Sequence, residues 1–263
     1  MELKTVIYRK ENNVAYIIMN RPEVLNALNS VMDEDLHQAL LTARNDPEIR
    51  AVVLRGAGRA FSSGQDVRDF AEAYASGRVP DFRSGLMRRK KVFEAIREMP
   101  KPVIAAINGV VAGIGIALAL ACDIRIATKS ARFVPAFGRI GLIPDGGLIY
   151  LLSKYLPPGR IFDIYATNKE ITAEEAYTLG LVDYLVDDEK FEEATANLAK
   201  KYAEGPTYAY ALAKQVINMT ILKDFAFAYD IEAEMQEKAA RSEDHKEGVR
   251  AFVEKRQPVF KGR

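Results

Sequence analysis

The chain is poor in the residues that build disulfides and zinc sites. Its 263 residues include one cysteine, two histidines and no tryptophan. A single thiol, Cys122, cannot close an internal disulfide, which fits a reducing compartment. With Cys122, His37 and His245 as the whole inventory, no Cys/His zinc cluster can be assembled, and no metal site is expected. Net charge is scarce as well. The 37 Lys and Arg against 36 Asp and Glu leave a formal +1, which argues against a broadly basic nucleic-acid binder. The N-terminus, Met1–Lys10, has neither an apolar h-region nor a small-residue cleavage site, so a cytoplasmic location is expected. The run Val103–Cys122 approaches membrane-spanning length with only Asn108 clearly polar. Asn108-Gly109 splits it, Gly113 and Gly115 weaken a continuous helix, and no aromatic belt flanks it. A strand, a tight turn and a buried helix are expected there instead, and no membrane partner.

What is present is an ordinary globular composition, 49% hydrophobic and 28% charged, which excludes wholesale disorder. Lys4–Arg9 and Val14–Met19 read as strands joined by a turn at Glu11-Asn12-Asn13. Val31–Ala43 carries apolar residues at helical spacing. Ala51–Leu54 reads as a buried strand, and Gly56–Gly64 as a glycine-containing loop. Helices are expected near Val67–Ala75 and Arg83–Arg97, with Pro100 and Pro102 stopping the second and launching a strand at Val103–Ile107. Ile124–Ala127 and Val182–Val186 read as further strands, and beyond Lys190 almost everything reads as helix. This order predicts an α/β core domain over residues 1–200 and a C-terminal helical subdomain over 201–263, with the boundary least marked near Pro206. Thr172-x-x-Glu175 predicts a capping box.

Three segments carry the chemistry. In Ala60-Phe-Ser-Ser-Gly-Gln-Asp66, Gly64 allows a backbone angle other residues avoid, so the Gln65 N–H can point into a site; an ordinary βα loop is the alternative. In Asn108–Ile116, glycines at 109, 113 and 115 do not match the dinucleotide fingerprint. They let backbone approach a ligand at a helix start, where free N–H groups favour negative charge; plain helix packing competes with this. Two such loops suggest an oxyanion hole. In Phe137–Gly147, Asp145 sits in a Pro-Asp-Gly-Gly turn. It is either a turn or capping residue, or a carboxylate that apolar Leu142, Ile143 and Pro144 desolvate into the range of a general base. Arg88-Arg-Lys-Lys91 reads as a solvated helix face, with a phosphate-contacting patch as the alternative. His37 reads as a surface residue. Neither histidine is placed for a Ser-His-Asp triad.

Together these segments resemble the crotonase (enoyl-CoA hydratase/isomerase) superfamily. The likeness runs through Asn20-Arg-Pro…Leu25-Asn-Ala-Leu28, Ala60–Asp66, Ile104–Gly109, Cys122–Ala127, Arg139–Pro144, Ile171–Val182 and the tail Glu247–Arg263. The resemblance implies a spiral of ββα units with a helical trimerisation region, assembled as homotrimers or hexamers. It also implies an acyl-CoA thioester substrate, with coenzyme A part of that substrate and no separate cofactor. By position, the amides of Gln65 and Ile114 would hold the thioester oxygen, although Ile114 stands where the family usually has glycine. Asp66, Val67 and Arg68 would line the CoA side. Leu25 falls in the adenine-pocket loop, and Phe260 and Lys261 would reach a neighbouring subunit's CoA.

The departures narrow the function. The family's hydratases use two glutamates, and the resemblance puts Ala117 and Phe137 at those positions. Asp145 matches an aspartate of the subgroup resembling the phenylacetate-degradation isomerase, which opens a ring epoxide or shifts a double bond. Leu148 replaces one residue of that subgroup's usual glycine pair. An isomerase with Asp145 as its base is therefore expected. A hydratase with another acid/base pair, or a non-catalytic acyl-CoA-binding subunit, is the alternative. RNA binding through Arg88–Lys91 is a more distant one.

Overall fold

β1 (Val6–Glu11) and β2 (Val14–Met19) pair antiparallel around Asn12-Asn13, with Glu11 opposite Val14. Asn12 adopts φ 52°, a left-handed angle that asparagine tolerates better than most residues. β1 lies two residues later than the pattern at Lys4–Arg9 suggests. The reason is Asp35, whose Oδ2 accepts from the Lys4 and Thr5 amides at 2.8 and 2.7 Å and ties them to the next helix instead. The computed structural model describes residues 3–258, apart from 206, 208–209, 216, 219–229, 231–232, 234–235 and 238–239.

After α1 (Ser30–Asn45) the chain winds as a spiral in which a strand of a large sheet, a short strand of a smaller sheet, and helix follow one another. The first turn is β3 (Ala51–Gly56), β4 (Ala60–Ser62), α2 (Arg68–Ala75) and α3 (Phe82–Arg97). The second is β5 (Val103–Ile107), β6 (Val110–Ala112) and α4 (Ile114–Ala121). The third is β7 (Ile124–Thr128), β8 (Arg132–Val134), a 3-10 turn at Phe137–Ile140, α5 (Leu148–Leu152) and α6 (Pro158–Thr167). β9 (Ile171–Thr172), α7 (Ala173–Thr178) and β10 (Tyr184–Val186) close it, followed by α8 (Phe191–Glu204) and α9 (Glu243–Val253). The large sheet is ordered β1-β2-β3-β5-β7-β10 and is parallel from β2 onward. The smaller sheet is ordered β4-β6-β8-β9. Its strands are too short for a period-2 pattern, which is why the sequence reading treats Gly56–Gly64 as loop throughout. The Val103–Cys122 run divides into β5, β6 and α4. Among the described residues no helix is long and apolar enough to cross a membrane.

Alternation along the large sheet divides the core. Ala15, Ile17, Val52, Leu54, Val103 and Ala105 meet Met32, Leu36 and Leu40 of α1 and Phe93 and Ile96 of α3. The intervening residues, Tyr16, Val53, Ile104 and Ile126, meet Phe191, Leu198 and Ala199 of α8. Both faces are covered, so the strands read as continuous apolar runs. Thr172 and Glu175 make both bonds of the capping box at the start of α7. Because β4, β6 and β8 run parallel, the loops that follow them emerge at one edge, outside the strands' carboxyl ends. That edge is where the site forms.

Candidate active site

The loop after β4 is held open by the segment before α1. Asn26 donates from Nδ2 to the carbonyls of Ala57 and Ala60 at 2.9 and 2.8 Å and accepts the Arg21 amide at 3.0 Å. Leu28 then pairs with Gln65 as a parallel bridge, its N–H donating to Gly64 O and its carbonyl accepting the Asp66 N–H. In such a bridge the N–H of the central residue points away from the partner, so Gln65 presents its amide to the other side. Gly64 has φ +90°, and a methyl group on it would stand 2.8 Å from the Ala112 carbonyl. The loop after β6 thus touches the loop after β4. Gly113 caps α4 with φ +51°, leaving Ile114 as its first residue. Among the described residues neither the Gln65 nor the Ile114 N–H has a hydrogen-bond acceptor. Both residues line one cavity of about 340 Å³, with Val67, Phe137, Asp145 and Gln236.

Asp145 follows β8 by way of the 3-10 turn. Gly146 and Gly147 take left-handed angles of 67° and 74°, and a side chain on Gly146 would strike Ile114 Cγ1 at 2.7 Å. This lays the turn directly against the first turn of α4. Gly147, not Asp145, stands at the N-cap of α5, so Asp145 is not that helix's capping residue. Instead Asp145 Oδ2 accepts from Gln236 Nε2 at 3.0 Å, and Gln236 Oε1 accepts the Ile143 N–H at 3.1 Å. Asp145 Oδ1 is buried and accepts no hydrogen bond among the described residues. Burial pushes the carboxyl up to about 6, against the opposing pull of the Arg89 charge and the Gln236 bond. Arg89 is itself buried, with Nε donating to Asp33 Oδ1 at 2.7 Å.

The Arg88–Lys91 run is therefore not one solvated face. Arg88 and Lys91 are exposed, but Arg89 turns inward, and both Arg88 and Arg89 line the cavity. Helical spacing carries the signal that identifies it: Leu86, Arg89, Phe93 and Ile96 share one stripe of α3, as Asp33, Leu36 and Leu40 share one of α1. Gln236 lies with buried Ala233 and Ala240 at the same kind of spacing.

Phe70 and Phe82 also line the cavity. His245 of α9 is fully buried, with ring centroids 5.9, 5.5 and 5.2 Å from Phe70, Tyr74 and Phe82. Its Nδ1 lies 2.8 Å from Ile140 O, so Nδ1 carries a proton and donates, and burial lowers the pKa of the ring against the pull of that bond. On the same helix a side chain at Gly248 would come 2.5 Å from Ile140 Cα, which explains the glycine in the tail motif. His37, expected at the surface, is half-buried on α1.

Asp66 is buried and its carboxylate is turned to Arg21 and Arg68, at 2.9 and 2.7 Å, rather than lining the cavity. Arg68 is exposed. Leu25 is half-buried at φ 53°, its carbonyl accepting the Ser63 N–H at 2.8 Å behind the amide loop. Phe260 and Lys261 lie outside the described residues. Ala117 is fully buried, against Gly146, and Phe137 faces the cavity.

The hydrogen bonds from Arg68 and Arg21 pull the Asp66 carboxyl down from 3.8 to about 2. A depressed carboxylate adds stability that is present above pH 3.8 and is lost as the pH falls through about 2. Asp66→Asn should therefore be less stable than wild type at neutral pH, with the gap closing towards pH 2. Urea denaturation across that range measures it.

A model of the enoyl-CoA hydratase/isomerase family matches residues 9–263. The chain belongs to this family. Within it the chain is 37% identical over 262 residues to 1,2-epoxyphenylacetyl-CoA isomerase of Escherichia coli K12, covering 99% of this chain and 100% of that one. It is 39% identical over 266 residues to a probable enoyl-CoA hydratase of Rhodobacter capsulatus, with each chain covered in full. The crystal structure of an enoyl-CoA hydratase from Mycobacterium avium subsp. paratuberculosis K-10 superposes with a TM-score of 0.88 at 30% identity, covering 99% of this chain and 100% of that one. The crotonase resemblance and the α/β spiral are borne out. Relatives of this crotonase-family chain carry both isomerase and hydratase names, so family membership alone does not choose between the two reactions.

Proposed function

We propose that the chain is an acyl-CoA isomerase that moves a double bond, or opens a ring epoxide, through a thioester enolate. The observation that carries this reading is one buried carboxylate, Asp145, raised to about 6, in the same cavity as two amides that have no acceptor among the described residues. By the family resemblance, Ala117 and Phe137, which can neither hold water nor move a proton, stand where the hydratases carry their two glutamates.

In the double-bond reaction the thioester oxygen accepts from the Gln65 and Ile114 N–H groups. Asp145 removes the proton between the carbonyl and the double bond, and the electron pair delocalises onto that oxygen as a dienolate. The protonated carboxyl then returns the proton to the far carbon, and the C=C bond reforms in conjugation. One base serves both transfers if the two carbons lie on the same side of it. A base with its pKa near the working pH suits such a shuttle. No cofactor takes part beyond the CoA of the substrate itself. The relative named 1,2-epoxyphenylacetyl-CoA isomerase supports the epoxide variant, in which the same enolate chemistry acts on a strained C–O bond.

Hydration is the second reading. Asp69 at the cavity rim has its carboxyl raised by partial burial and is a candidate second acid. Incubating the enzyme separately with 3-enoyl-CoA and crotonyl-CoA, with detection by mass spectrometry, separates the readings. Faster conversion of the first than water addition to the second is expected, and the reverse order favours the hydratase. Turnover of neither, with acyl-CoA bound, points to a non-catalytic subunit. The proposal extends to a trimer or hexamer in the cytoplasm assembled through residues 201–263, which analytical ultracentrifugation of the full chain and of a chain ending at residue 200 tests.

A further inference from the structure

We infer that Gln236 is a positioning residue for Asp145, holding one carboxylate oxygen so that the other is presented to the bound acyl group. The inference rests on the reading of Asp145 as the base. Gln236 is 1% exposed and comes from far along the chain, yet it lines the same cavity. Its amide makes two bonds of opposite sense, donating to Asp145 Oδ2 and accepting the Ile143 N–H. Both partners belong to one turn, so the carboxylate is fixed relative to the backbone that carries it.

The chemistry explains why an amide stands there. An ionised glutamate would supply the acceptor but no donor, and a lysine the donor but no acceptor. Leucine would supply neither, and asparagine is one carbon shorter. With Oδ2 committed to Gln236, the proton is taken up at Oδ1, which has no partner among the described residues. Among the described residues the charged groups facing Asp145 are Arg89 of α3 and, behind it, Asp33 of α1. α4 presents apolar Ile114 and Ala117 to the turn. The Gln236 bond stabilises the ionised carboxylate, so its loss moves the titration upward.

The test is the pH profile of kcat/KM for 3-enoyl-CoA isomerisation by wild type, Gln236→Leu and Gln236→Glu, with Asp145→Asn alongside. The wild-type acid limb is expected near pH 6. Gln236→Leu should raise that limb by about one pH unit, which is about a five-fold loss at pH 6 that recovers at high pH. Gln236→Glu should raise it further, because two adjacent carboxyls share one proton. A purely structural role scales the rate at every pH and leaves the limb in place, so an unmoved limb in both variants overturns the inference. Loss of the folded state in both variants, read by circular dichroism, overturns it as well. Retention of the wild-type rate by Asp145→Asn refutes the underlying base assignment instead, whatever the Gln236 variants do.

Discussion

Asp145→Asn is expected to lower kcat for converting 3-enoyl-CoA to 2-enoyl-CoA by about 10²–10⁴-fold, the usual worth of a positioned proton-transfer group. The substitution keeps the shape of the side chain and leaves an oxygen to accept from Gln236 Nε2. It also leaves the Arg89–Asp33 ion pair in place, so KM should change little. The acid limb near pH 6 should vanish with the carboxyl. Stability moves the other way, which separates lost chemistry from lost folding. A carboxyl raised from 3.8 to about 6 favours the fold at low pH, and that contribution is lost as the pH rises through about 6. At pH 7 and above the buried charge is a cost, and the neutral asparagine should be at least as stable as wild type. Below pH 3.8 the advantage should disappear. Steady-state kinetics and thermal melts on the same preparations measure both effects.

The second large effect is expected at Gly64. Alanine held at φ +90° would both strain the backbone and press its methyl group against the Ala112 carbonyl oxygen, 2.8 Å away. The obstructing atom is backbone, so a side-chain rotation cannot relieve the clash. The loops after β4 and β6 must separate, and the Gln65 amide moves relative to the Ile114 amide. Losing one oxyanion donor typically costs about 10²–10³-fold in kcat. The left-handed angle adds roughly 1–2 kcal/mol of destabilisation. Gly64→Ala should still show the acid limb of Asp145, because the base and its partners lie on other loops. A rate defect without displacement of that limb distinguishes oxyanion loss from damage to the carboxylate.

The sequence was informative where a local pattern coincides with a physical requirement. Val14–Met19 and Val103–Ile107 are buried strands because both faces of the large sheet are covered, and their unbroken apolar runs say so. Thr172 and Glu175 cap α7 through bonds to residues three positions away. Gly64 and Gly113 stand at positive φ because two loops touch there. β4, β6, β8 and β9 escaped detection because two or three residues hold too little periodicity to read. Asp145 was recognisable as a desolvated turn residue, but its partners were not. Gln236 reaches it from 91 residues away in sequence. Arg89 was concealed within a run of four basic residues, although it falls on the apolar stripe of α3. The Asn20–Leu28 motif marks the family, and the structure adds what it does: Asn26 and Leu28 support the loop that presents Gln65.

In the proposed reaction one carboxyl takes a proton from the carbon beside the thioester carbonyl and returns it to a distant carbon of the same molecule. A 3-enoyl-CoA carrying deuterium beside the carbonyl, converted in a single turnover in ordinary water, tests it directly. The expected result is 2-enoyl-CoA with deuterium at the far carbon and no 3-hydroxyacyl-CoA. Product formed at the full rate with all transferred deuterium lost to solvent, or with water added across the double bond, would rule out this proton shuttle.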